Sequence, residues 1–348
     1  MHCIIGYDVY NDFFLILCGP TGTGKTDLSY ELAKKYPIEI INCDIGQFYK
    51  PLTIGTAKPA WKNQVMQHHL FDVIAEPKNF SVTEYRERVE TLLQEIWARN
   101  ALPVVVGGSM FYIKALFFPP LIGQNAKQDV NVTITSELTS KDTMTLTSKE
   151  LWEKLFSIDP QRALCLHQND TYRIKRALDL WHTSGGVLPS SCKPIFKPLA
   201  PFHITFIVRE REELYARIDE RVKVMIKEGW IEEVAFLSSS WQSFLKQKKI
   251  LGYPEIISWL QENRASSHII PEVAIQECKQ SETLVQAIQK KTRNYAKRQI
   301  TFWQSLKRDI LFHETLHVIS ELNLTSSSLD LYLKNIQHII KGKKEQHE

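Results

Sequence analysis

Eight consecutive residues near the start of the chain form a phosphate-binding loop. They spell G-x-x-x-x-G-K-T and are Gly19, Pro20, Thr21, Gly22, Thr23, Gly24, Lys25 and Thr26. Glycines let the backbone curl so that successive N–H groups point at one anion, and the helix that follows adds the positive end of its dipole. Lys25 supplies a mobile positive charge, and Thr26 supplies a hydroxyl for a Mg²⁺ ion bound to the phosphates. The sequence therefore predicts a binding site for a di- or triphosphate.

Two polar residues farther along the chain are expected beside this loop. Asp44 follows an apolar run at 38–41, and Ser109 comes shortly after another apolar run at 103–106. Ligands of open parallel sheets bind at the carboxyl ends of the strands, so both side chains should face the loop. Asp44 is the best candidate for a catalytic carboxylate, with the positioning of a metal-bound water as its alternative role. Ser109 either presents its hydroxyl to the site or caps the helix that follows, and the sequence leaves these two roles open.

A long stretch in the last third of the chain carries only positive charges. Between residues 286 and 308 the charged side chains are Lys290, Lys291, Arg293, Lys297, Arg298, Lys307 and Arg308. Lys290, Arg293 and Lys297 recur at steps of three and four, which predicts one basic face on a helix. Solvated helices normally mix both signs of charge, so this run favours a phosphate backbone as its partner. A merely solvated cationic face is the alternative.

The elements around these residues predict an α/β fold. Short apolar runs typical of buried strands lie at 13–18, 38–41, 103–106 and 202–208, with a weaker candidate at 70–74. Helical patterns lie between them at 26–36 and 81–100, and the second of these starts with a capping box. Strands that alternate with helices of this length indicate a doubly wound parallel sheet, like that of the phosphate-binding-loop NTPases.

The alternation is interrupted after residue 121. A polar segment without periodicity is followed by helical patterns at 149–156 and 170–184, and then by a proline-rich stretch at 189–201. We therefore predict three parts: a catalytic core at 1–121 and 201–310, an inserted and mainly helical domain at 122–200, and a less regular C-terminal tail at 311–348.

Composition bounds the class of protein. The net charge of +4 is too small by itself to indicate a polyanionic partner. The six cysteines are scattered without a C-x-x-C pair, which is typical of a reducing compartment and argues against a cysteine-based zinc site. No apolar run approaches ~18 residues, and residues 1–12 lack the pattern of a signal peptide. We expect a cytoplasmic protein with no membrane contact.

Taken together, the motifs resemble those of bacterial-type tRNA dimethylallyltransferases. The matching blocks run in family order from about residue 14 to 304 and are 19–26, Asp44 with Gln47 and Tyr49, 54–59, 68–72, 106–112, 169–178, 217–221, Gly252-Tyr253 and 292–301. The blocks at 54–59 and 297–299 are specific to that family, whereas the phosphate-binding loop alone is not.

The resemblance implies a prenyl transfer reaction. A dimethylallyl group would pass from dimethylallyl diphosphate to the exocyclic amine of the adenosine 3′ of the anticodon, in tRNAs that read codons beginning with U. Lys25, Thr26 and Mg²⁺ would stabilise the leaving diphosphate, with Arg173 and Arg221 as further clamps. Asp44 matches the general base of the family. Ser109, where the family often has threonine, would orient the acceptor amine or the adenine ring.

The resemblance also implies the anticodon stem-loop of tRNA as the partner of a protein that we expect to be a monomer. The residues expected to contact tRNA are Asp44, Ile45, Gly46, Gln47, Ser109, Tyr172, Arg173, Arg176, Gly252, Tyr253, Arg293, Lys297, Arg298 and Gln299. Two positions depart from the family pattern. Ile45 stands where a serine is usual, and Pro254 stands where an arginine is frequent.

Three other activities use the same kind of loop. An adenylate dimethylallyltransferase needs neither the inserted domain nor the block at 297–299. A small-molecule kinase should carry an arginine-rich lid, and its second strand need not end in D-x-x-Q-x-Y. A nucleic-acid-binding NTPase needs an aspartate after an apolar strand, whereas the strand at 104–106 ends in two glycines. Any affinity for ATP would follow from loop geometry and should be weak.

Overall fold

A computed structural model of the protein describes residues 13–63, 66–120, 146–191, 194–266, 271–313, 319–327 and 329–344. The chain divides into two compact units. The larger consists of Met1–Phe117 and Pro198–Glu348, and the smaller of Phe118–Lys197. The bounds of the smaller unit lie within four residues of those of the predicted insertion, 122–200.

Among the described residues, six parallel strands form the sheet of the larger unit, in the order β3-β2-β4-β1-β5-β6. The strands are β1 (Phe14–Cys18), β2 (Ile38–Asn42), β3 (His68–His69), β4 (Leu102–Gly107), β5 (Phe202–Val208) and β6 (Ile319–Asn323). The central strands are buried along almost their whole length, which is why apolar residues predominate in each of them. The predicted fold class, a doubly wound parallel sheet with a helical insertion, is confirmed.

Helices connect and cover these strands. They are α1 (Lys25–Ala33), α2 (Val82–Ala98), α3 (Met110–Phe117), α4 (Ser148–Ile158), α5 (Pro160–Leu164), α6 (Thr171–Thr183), α7 (Arg211–Lys227), α8 (Trp230–Ala235), α9 (Ser239–Lys248), α10 (Tyr253–Ser266), α11 (Pro271–Gln280), α12 (Glu282–Leu311) and α13 (Leu329–Lys344). Short 3₁₀ turns cover Ile45–Phe48 and Trp61–Asn63. Of these helices, α4, α5 and α6 belong to the smaller unit.

The start of α1 differs from the starts of α2, α6 and α12 in a way that matters for binding. The side chains of Ser81, Asp170 and Ser281 each accept a backbone N–H at the start of α2, α6 and α12. Caps of this kind typically stabilise a helix by about 1 kcal/mol. By contrast α1 follows Gly24, which is left-handed and makes no side-chain cap. Its first N–H groups are therefore available to an anion.

The third strand lies earlier than predicted. It is the short segment His68–His69, which pairs with β2, whereas the sequence suggested 70–74. Leu70 and Asp72 have φ values of 62° and 55°, and an extended strand cannot continue through such residues. Ile74 then makes an isolated parallel bridge to Tyr49. The apolar residues at 70–74 thus form a turn, after which the chain pairs briefly with the segment that contains Tyr49.

The segment predicted as a tail, 311–348, contains part of the fold. Strand β6 extends the sheet beside β5, with Ile319 opposite Ile204. The Tyr332 hydroxyl of α13 forms a hydrogen bond of 2.9 Å with the Thr205 hydroxyl of β5. Most residues of β6 are only half-buried or exposed because it forms an edge of the sheet. Its sequence therefore lacks the predominance of apolar residues that marks the central strands.

The smaller unit has a core of its own. Its fully or nearly buried side chains are Leu151, Leu155, Ala163, Leu166, Ile174, Ala177 and Leu178. Asp159 is buried between two elements and accepts the N–H groups of Arg162, at 3.0 Å, and Ser190, at 2.7 Å. A core and an internal polar link of this kind identify a small helical domain.

Candidate active site

The phosphate-binding loop joins β1 to α1 and lies tightly against β5. Gly19 has a φ of 154°, and a side chain there would come within 2.3 Å of the carbonyl oxygen of Ile207. Gly24, at the end of the loop, has a φ of 96°, which favours glycine. Glycine is therefore required at position 19 by the close approach of the β5 backbone, and it is favoured at position 24 by the backbone conformation of the loop.

Lys25 is held by its own loop. Its Nζ donates to the carbonyl oxygens of Gly19, at 3.1 Å, and Pro20, at 2.9 Å. Burial lowers the pKa of Lys25 to about 8, an effect that the charge of Asp44 opposes and that of Arg221 reinforces. The neighbouring Thr26 is exposed in the first turn of α1. The loop thus presents one buried cation and one accessible hydroxyl.

Asp44 lies at the end of β2, facing two cations. Its backbone N–H donates to Asn42 Oδ1 at 2.9 Å. Burial raises the pKa of the Asp44 carboxyl group, whereas the charges of Lys25 and Arg221 and hydrogen bonds from the Gly108 N–H and the Ser109 hydroxyl act in the opposite direction. Burial raises the proton affinity of this carboxylate, and hydrogen-bond donors hold it in place. Such a carboxylate is suited to accept a proton.

Ser109 is a site residue, and its hydroxyl does not cap α3. The buried hydroxyl oxygen accepts the N–H of Ile45 at 2.9 Å. The carbonyl of Ser109 accepts the N–H groups of Tyr112 and Ile113 at the start of α3. Of the two roles that the sequence left open, the hydroxyl does not fill that of helix cap, and its role at the site stays a prediction.

Tyr295 of α12 also reaches this site, which the sequence analysis did not anticipate. Its hydroxyl interacts with the Ser109 side chain and lies within range of the Asp44 charge. Burial raises the pKa of Tyr295 well above its usual range. Nothing local in the sequence distinguishes this tyrosine from a core aromatic. It comes from a helix almost two hundred residues after Ser109, so only the fold brings them together.

Helix α7 supports the loop with a row of arginines. Arg217 Nε donates to the carbonyl of Gly22 at 2.9 Å, and Arg209 Nε, just before the helix, donates to the carbonyl of Thr23 at 3.0 Å. Arg221 is half-buried and faces Asp44. The family resemblance implied that Arg221 is a diphosphate clamp. The structure adds two arginines that hold the loop itself.

A cavity of about 280 Å³ lies beside Arg221. One wall is the segment from Thr53 to Lys58, and the other is α7. Ile54, Val224 and Met225 make much of this lining apolar. The cavity therefore joins apolar side chains to a cation of the site.

Gln299 was predicted to contact tRNA, but the structure gives it an internal role. It is buried, its Oε1 accepts the N–H of Thr21 at 3.0 Å, and its Nε2 donates to the carbonyl of Gly108 at 2.7 Å. Both ends of the carboxamide are thus used to fasten the phosphate-binding loop to the turn after β4. A side chain in that position supports the site and is not available to an RNA surface.

Gly252 and Tyr253, also predicted as tRNA contacts, lie inside the protein as well. Tyr253 is fully buried and donates to Glu233 Oε1 at 2.6 Å. A side chain at Gly252 would come within 2.1 Å of the Trp230 ring, and one at Gly55 within 1.9 Å of the same ring. These glycines are required by the packing of one tryptophan against two backbones.

Glu233 is the anchor of the block at 54–59. Besides the Tyr253 hydroxyl, its carboxylate accepts the N–H groups of Thr53 and Ile54, both at 2.7 Å, and of Gly55 at 3.3 Å. On the other side of this block, Lys58 Nζ donates to the carbonyl of Tyr49 at 2.7 Å and to Asp72 at 2.5 Å. The block is therefore fixed at both ends by charged groups.

The predicted tRNA contacts at 45–47 face this block as well. Gln47 Nε2 donates to the carbonyls of Thr56, at 3.0 Å, and Ala57, at 3.3 Å. Gly46 is buried, and a side chain there would come within 2.7 Å of Thr56. Ile45 is half-buried, with its N–H on Ser109. In this structure these residues order the edge of the site.

The basic run of α12 is partly neutralised by other elements. Arg293 forms an ion pair with Asp219 of α7, and Lys291 forms one with Glu255 of α10. These acids are distant in sequence, so the run looked unmixed. The run also includes exposed cations: Lys290, Lys297, which lies 5.9 Å from the centre of the Tyr215 ring, and Arg298, which lies 5.8 Å from that of Tyr295.

In the smaller unit, the predicted contacts occupy the start of α6. Tyr172 is 80% exposed. Arg173 is exposed, with its Nε 3.4 Å from Asp170, and Arg176 is half-buried near Asp179. The role of Arg173 as a diphosphate clamp stays a prediction. An exposed aromatic ring between cations is a surface that suits RNA.

The described residues also lack two features that the sequence could have contained. They contain no cluster of three or more His, Cys, Asp or Glu side chains that could hold a metal ion. Their helices are also too short or too polar to cross a membrane.

A parallel sheet with this loop, a carboxylate opposite its lysine and an arginine beside both define an α/β protein of the phosphate-binding-loop class. A model of the IPP transferase family matches residues 47–306. The chain belongs to the IPP transferase family.

Individual relatives agree with this assignment. The chain is 34% identical over 302 residues to the tRNA dimethylallyltransferase of Halothermothrix orenii, covering 84% of this chain and 85% of that one. It is 35% identical over 298 residues to tRNA dimethylallyltransferase 2 of Geotalea uraniireducens, covering 83% and 88%.

Solved structures match along nearly the whole chain. The tRNA delta(2)-isopentenylpyrophosphate transferase of Staphylococcus epidermidis is 27% identical with a TM-score of 0.56, and the match covers 96% of this chain and all of that one. A eukaryotic dimethylallyltransferase acting on tRNA has a TM-score of 0.71 at 23% identity, covering 97% and 80%, and supports the fold alone.

Proposed function

We propose that this protein transfers a dimethylallyl group from dimethylallyl diphosphate to the exocyclic amine of a tRNA adenosine, 3′ of the anticodon, and releases diphosphate. The observation that carries the proposal is the placement of Asp44 opposite Lys25 and Arg221 at the mouth of the phosphate-binding loop. It puts a proton acceptor beside a site for an anionic leaving group. The names of the relatives supply the transferred dimethylallyl group and the tRNA acceptor.

The leaving group is the diphosphate. Lys25, Arg221 and the uncapped N–H groups of α1 bind its oxygens and stabilise the negative charge that develops as the allylic C–O bond breaks. Thr26 is exposed at the correct end of α1 and fits a Mg²⁺ ion whose other ligands are phosphate oxygens and water. When bound, the ion would neutralise part of the charge on the diphosphate.

The apolar tail of the substrate needs a dry site next to the diphosphate. The cavity between Thr53–Lys58 and α7 has Arg221 in its wall and the apolar side chains of Ile54, Val224 and Met225 around it. Its volume of about 280 Å³ exceeds what a five-carbon group needs. This supports an assignment of the tail to that cavity, with the reacting carbon toward Asp44.

The acceptor amine approaches from the side of Asp44. As its nitrogen attacks the allylic carbon, a new C–N bond forms and one amine proton passes to an Asp44 carboxylate oxygen. The Ser109 hydroxyl holds that carboxylate from the other side. Because the target base is stacked in RNA, it must leave its stack to reach the site.

Exposed basic residues supply the grip on the RNA. Lys290, Lys297 and Arg298 of α12, and separately Tyr172 and Arg173 of α6, are the candidates for phosphate and base contacts to the anticodon stem-loop. We propose a monomer that works in the cytoplasm on tRNAs reading codons that begin with U. Binding of ATP would be a weak consequence of the loop.

The direct test incubates the protein with labelled dimethylallyl diphosphate, Mg²⁺ and unmodified tRNA, with free adenosine monophosphate as a competing acceptor. We expect label on the adenosine 3′ of the anticodon and little on the free nucleotide. Label on the free nucleotide alone would favour an adenylate dimethylallyltransferase. A robust ATPase activity without tRNA, and no transfer, would refute the proposal in favour of an NTPase.

A further inference from the structure

Helix α3 is almost completely buried, with one large apolar side chain as the exception. Met110, Tyr112 and Ile113 of its first turn are buried, and so are its residues from Ala115 onward. Phe111, in the same turn, is 62% exposed. Single apolar side chains are common on protein surfaces and need no special reason. What distinguishes Phe111 is the place that it occupies and the charges beside it.

Phe111 lies at the edge of the candidate active site. Helix α3 follows β4 after a short turn, so its first turn lies at the carboxyl end of the strands, where ligands of parallel sheets bind. Ser109, two residues before Phe111, accepts the N–H of Ile45, the residue after Asp44. A base that enters the site beside Asp44 and Ser109 therefore has the Phe111 ring near its neighbours in the strand.

The same face of α3 borders the basic helix α12. Residues three apart on a helix lie on the same face, so Phe111 shares a face with Lys114. Lys114 forms an ion pair of 2.8 Å with Asp309 of α12, and Gln299 donates at 2.7 Å to a carbonyl of the turn before α3. The two helices thus run side by side in the same direction. The exposed Arg298, which precedes Gln299, lies level with the start of α3.

Helix α3 holds the ring in place before any ligand arrives. The Tyr112 hydroxyl donates to the carbonyl of Phe80, and the Arg86 guanidinium donates to that of Ala115. A phenylalanine ring has only two side-chain torsions, so little conformational entropy is lost when it is covered. Proteins bind single-stranded nucleic acid with this combination, in which cations contact phosphates and an aromatic ring stacks on a base.

We propose that Phe111 is a stacking platform for an RNA base that flanks the adenosine in the site. The inference rests on the proposed function and deepens it, since it names a contact with the neighbour of the target base. A single ring beside cations suits a base, whereas it offers far less apolar area than a stable protein interface buries. Free adenosine monophosphate has no flanking base, so the contact favours an RNA acceptor over a free nucleotide.

Leucine at position 111 separates base stacking from simple apolar contact. Phe111→Leu keeps an apolar side chain but removes the aromatic face, whereas Phe111→Trp enlarges that face. We expect Phe111→Leu to lower the affinity for an unmodified anticodon stem-loop about tenfold and Phe111→Trp to retain it. The salt dependence of binding should not change, because no phosphate contact is lost. An unchanged affinity of the Leu variant, or a flattened salt slope, would overturn the proposal.

Removal of one base from the RNA identifies the partner of the ring. Two stem-loops are prepared, each with an abasic nucleotide on one side of the target adenosine, and their affinities are measured for the wild type and Phe111→Leu. At the position whose base stacks on Phe111, the two fold-losses should not multiply, since each change removes the same contact. Losses that multiply at both positions would overturn the proposal.

Phe236→Leu is the matched control. Phe236 is 84% exposed directly after α8, and it follows Glu232 and Glu233 by four and three residues, so acidic groups lie next to it. Its replacement should leave RNA binding unchanged, and a loss equal to that of Phe111→Leu would overturn the proposal. Absence of binding and transfer with the wild type would refute the proposed function. Binding and transfer that do not depend on position 111 would refute only the role of Phe111.

Discussion

Around the phosphate-binding loop, polar side chains are bonded to other parts of the protein, whereas the outer face of α12 carries exposed basic side chains. Gln299 and Glu233 illustrate the first region. Both ends of the Gln299 carboxamide form hydrogen bonds with backbone groups, and the Glu233 carboxylate accepts backbone N–H groups and the Tyr253 hydroxyl. Lys290, Lys297 and Arg298 illustrate the second. The two regions overlap in sequence: Gln299 directly follows Arg298. The residues predicted to contact tRNA thus divide into a part that builds the site and a part that faces outward.

Within the inner region, Asp44→Asn should have the largest effect. The amide keeps the shape of the side chain but cannot accept the amine proton, so the transfer rate should fall by a factor on the order of 10² or more. Binding of dimethylallyl diphosphate should be retained, since Lys25 and Arg221 remain. Single-turnover transfer and equilibrium binding measure the two quantities. A near-normal rate would remove Asp44 from the mechanism.

Lys25→Ala should act on the other substrate. Loss of the ammonium group removes a cation from the diphosphate site, which should weaken diphosphate binding and raise the barrier by about 2–4 kcal/mol. Titration with dimethylallyl diphosphate and the transfer rate at saturating tRNA measure both effects. The assignment of the loop fails when binding and rate are both intact. Affinity for tRNA is the internal control and should not change.

For the outer region, we expect an effect on tRNA alone. Replacing Lys290, Lys297 and Arg298 together with Gln should lower tRNA affinity by at least about tenfold and flatten its salt dependence by roughly two to three units. Arg293→Gln is the matched control, since Arg293 is paired with Asp219 and should change the salt slope less. An unchanged slope in the triple variant would mean that this face is merely solvated.

Gln299→Ala should have the smallest effect on the transfer rate. It tests whether a residue directly beside the exposed cations belongs to the inner region. It removes two hydrogen bonds that fasten the loop, so the free energy of unfolding should fall by about 1–3 kcal/mol and the transfer rate by a few-fold. The salt dependence of tRNA binding should stay that of the wild type. Thermal unfolding and binding at several salt concentrations provide both measurements. A flattened slope would move Gln299 to the outer region.

The central fold was predictable because its signals are local. Strands β1, β2, β4 and β5 are buried on both faces, so each is marked by a mostly apolar segment. Strand β6 lies at the edge of the sheet and contains several polar residues, so its sequence does not stand out as a buried strand. The run at 70–74 was misleading because its apolar residues fill a turn with positive φ values.

The site was predictable where one motif or one strand end carries the residue. Lys25, Asp44, Ser109 and Arg221 were all named from the sequence, and the structure brings them together. Tyr295 was missed, since the contact that makes it relevant joins residues far apart in the chain. The same reason explains the misassignment of Tyr253, whose partner Glu233 has no local signal.

The packing of Trp230 has a consequence for how this protein can change over evolution. Its ring fills the space that side chains at Gly55 and Gly252 would need. Interiors are packed too closely to absorb that added volume, so a larger residue at either glycine becomes acceptable only after the tryptophan has been replaced by something smaller. Substitutions at positions 55, 230 and 252 are therefore coupled. Homologues that retain a tryptophan at 230 should have glycine at both other positions, and variation at all three should appear together.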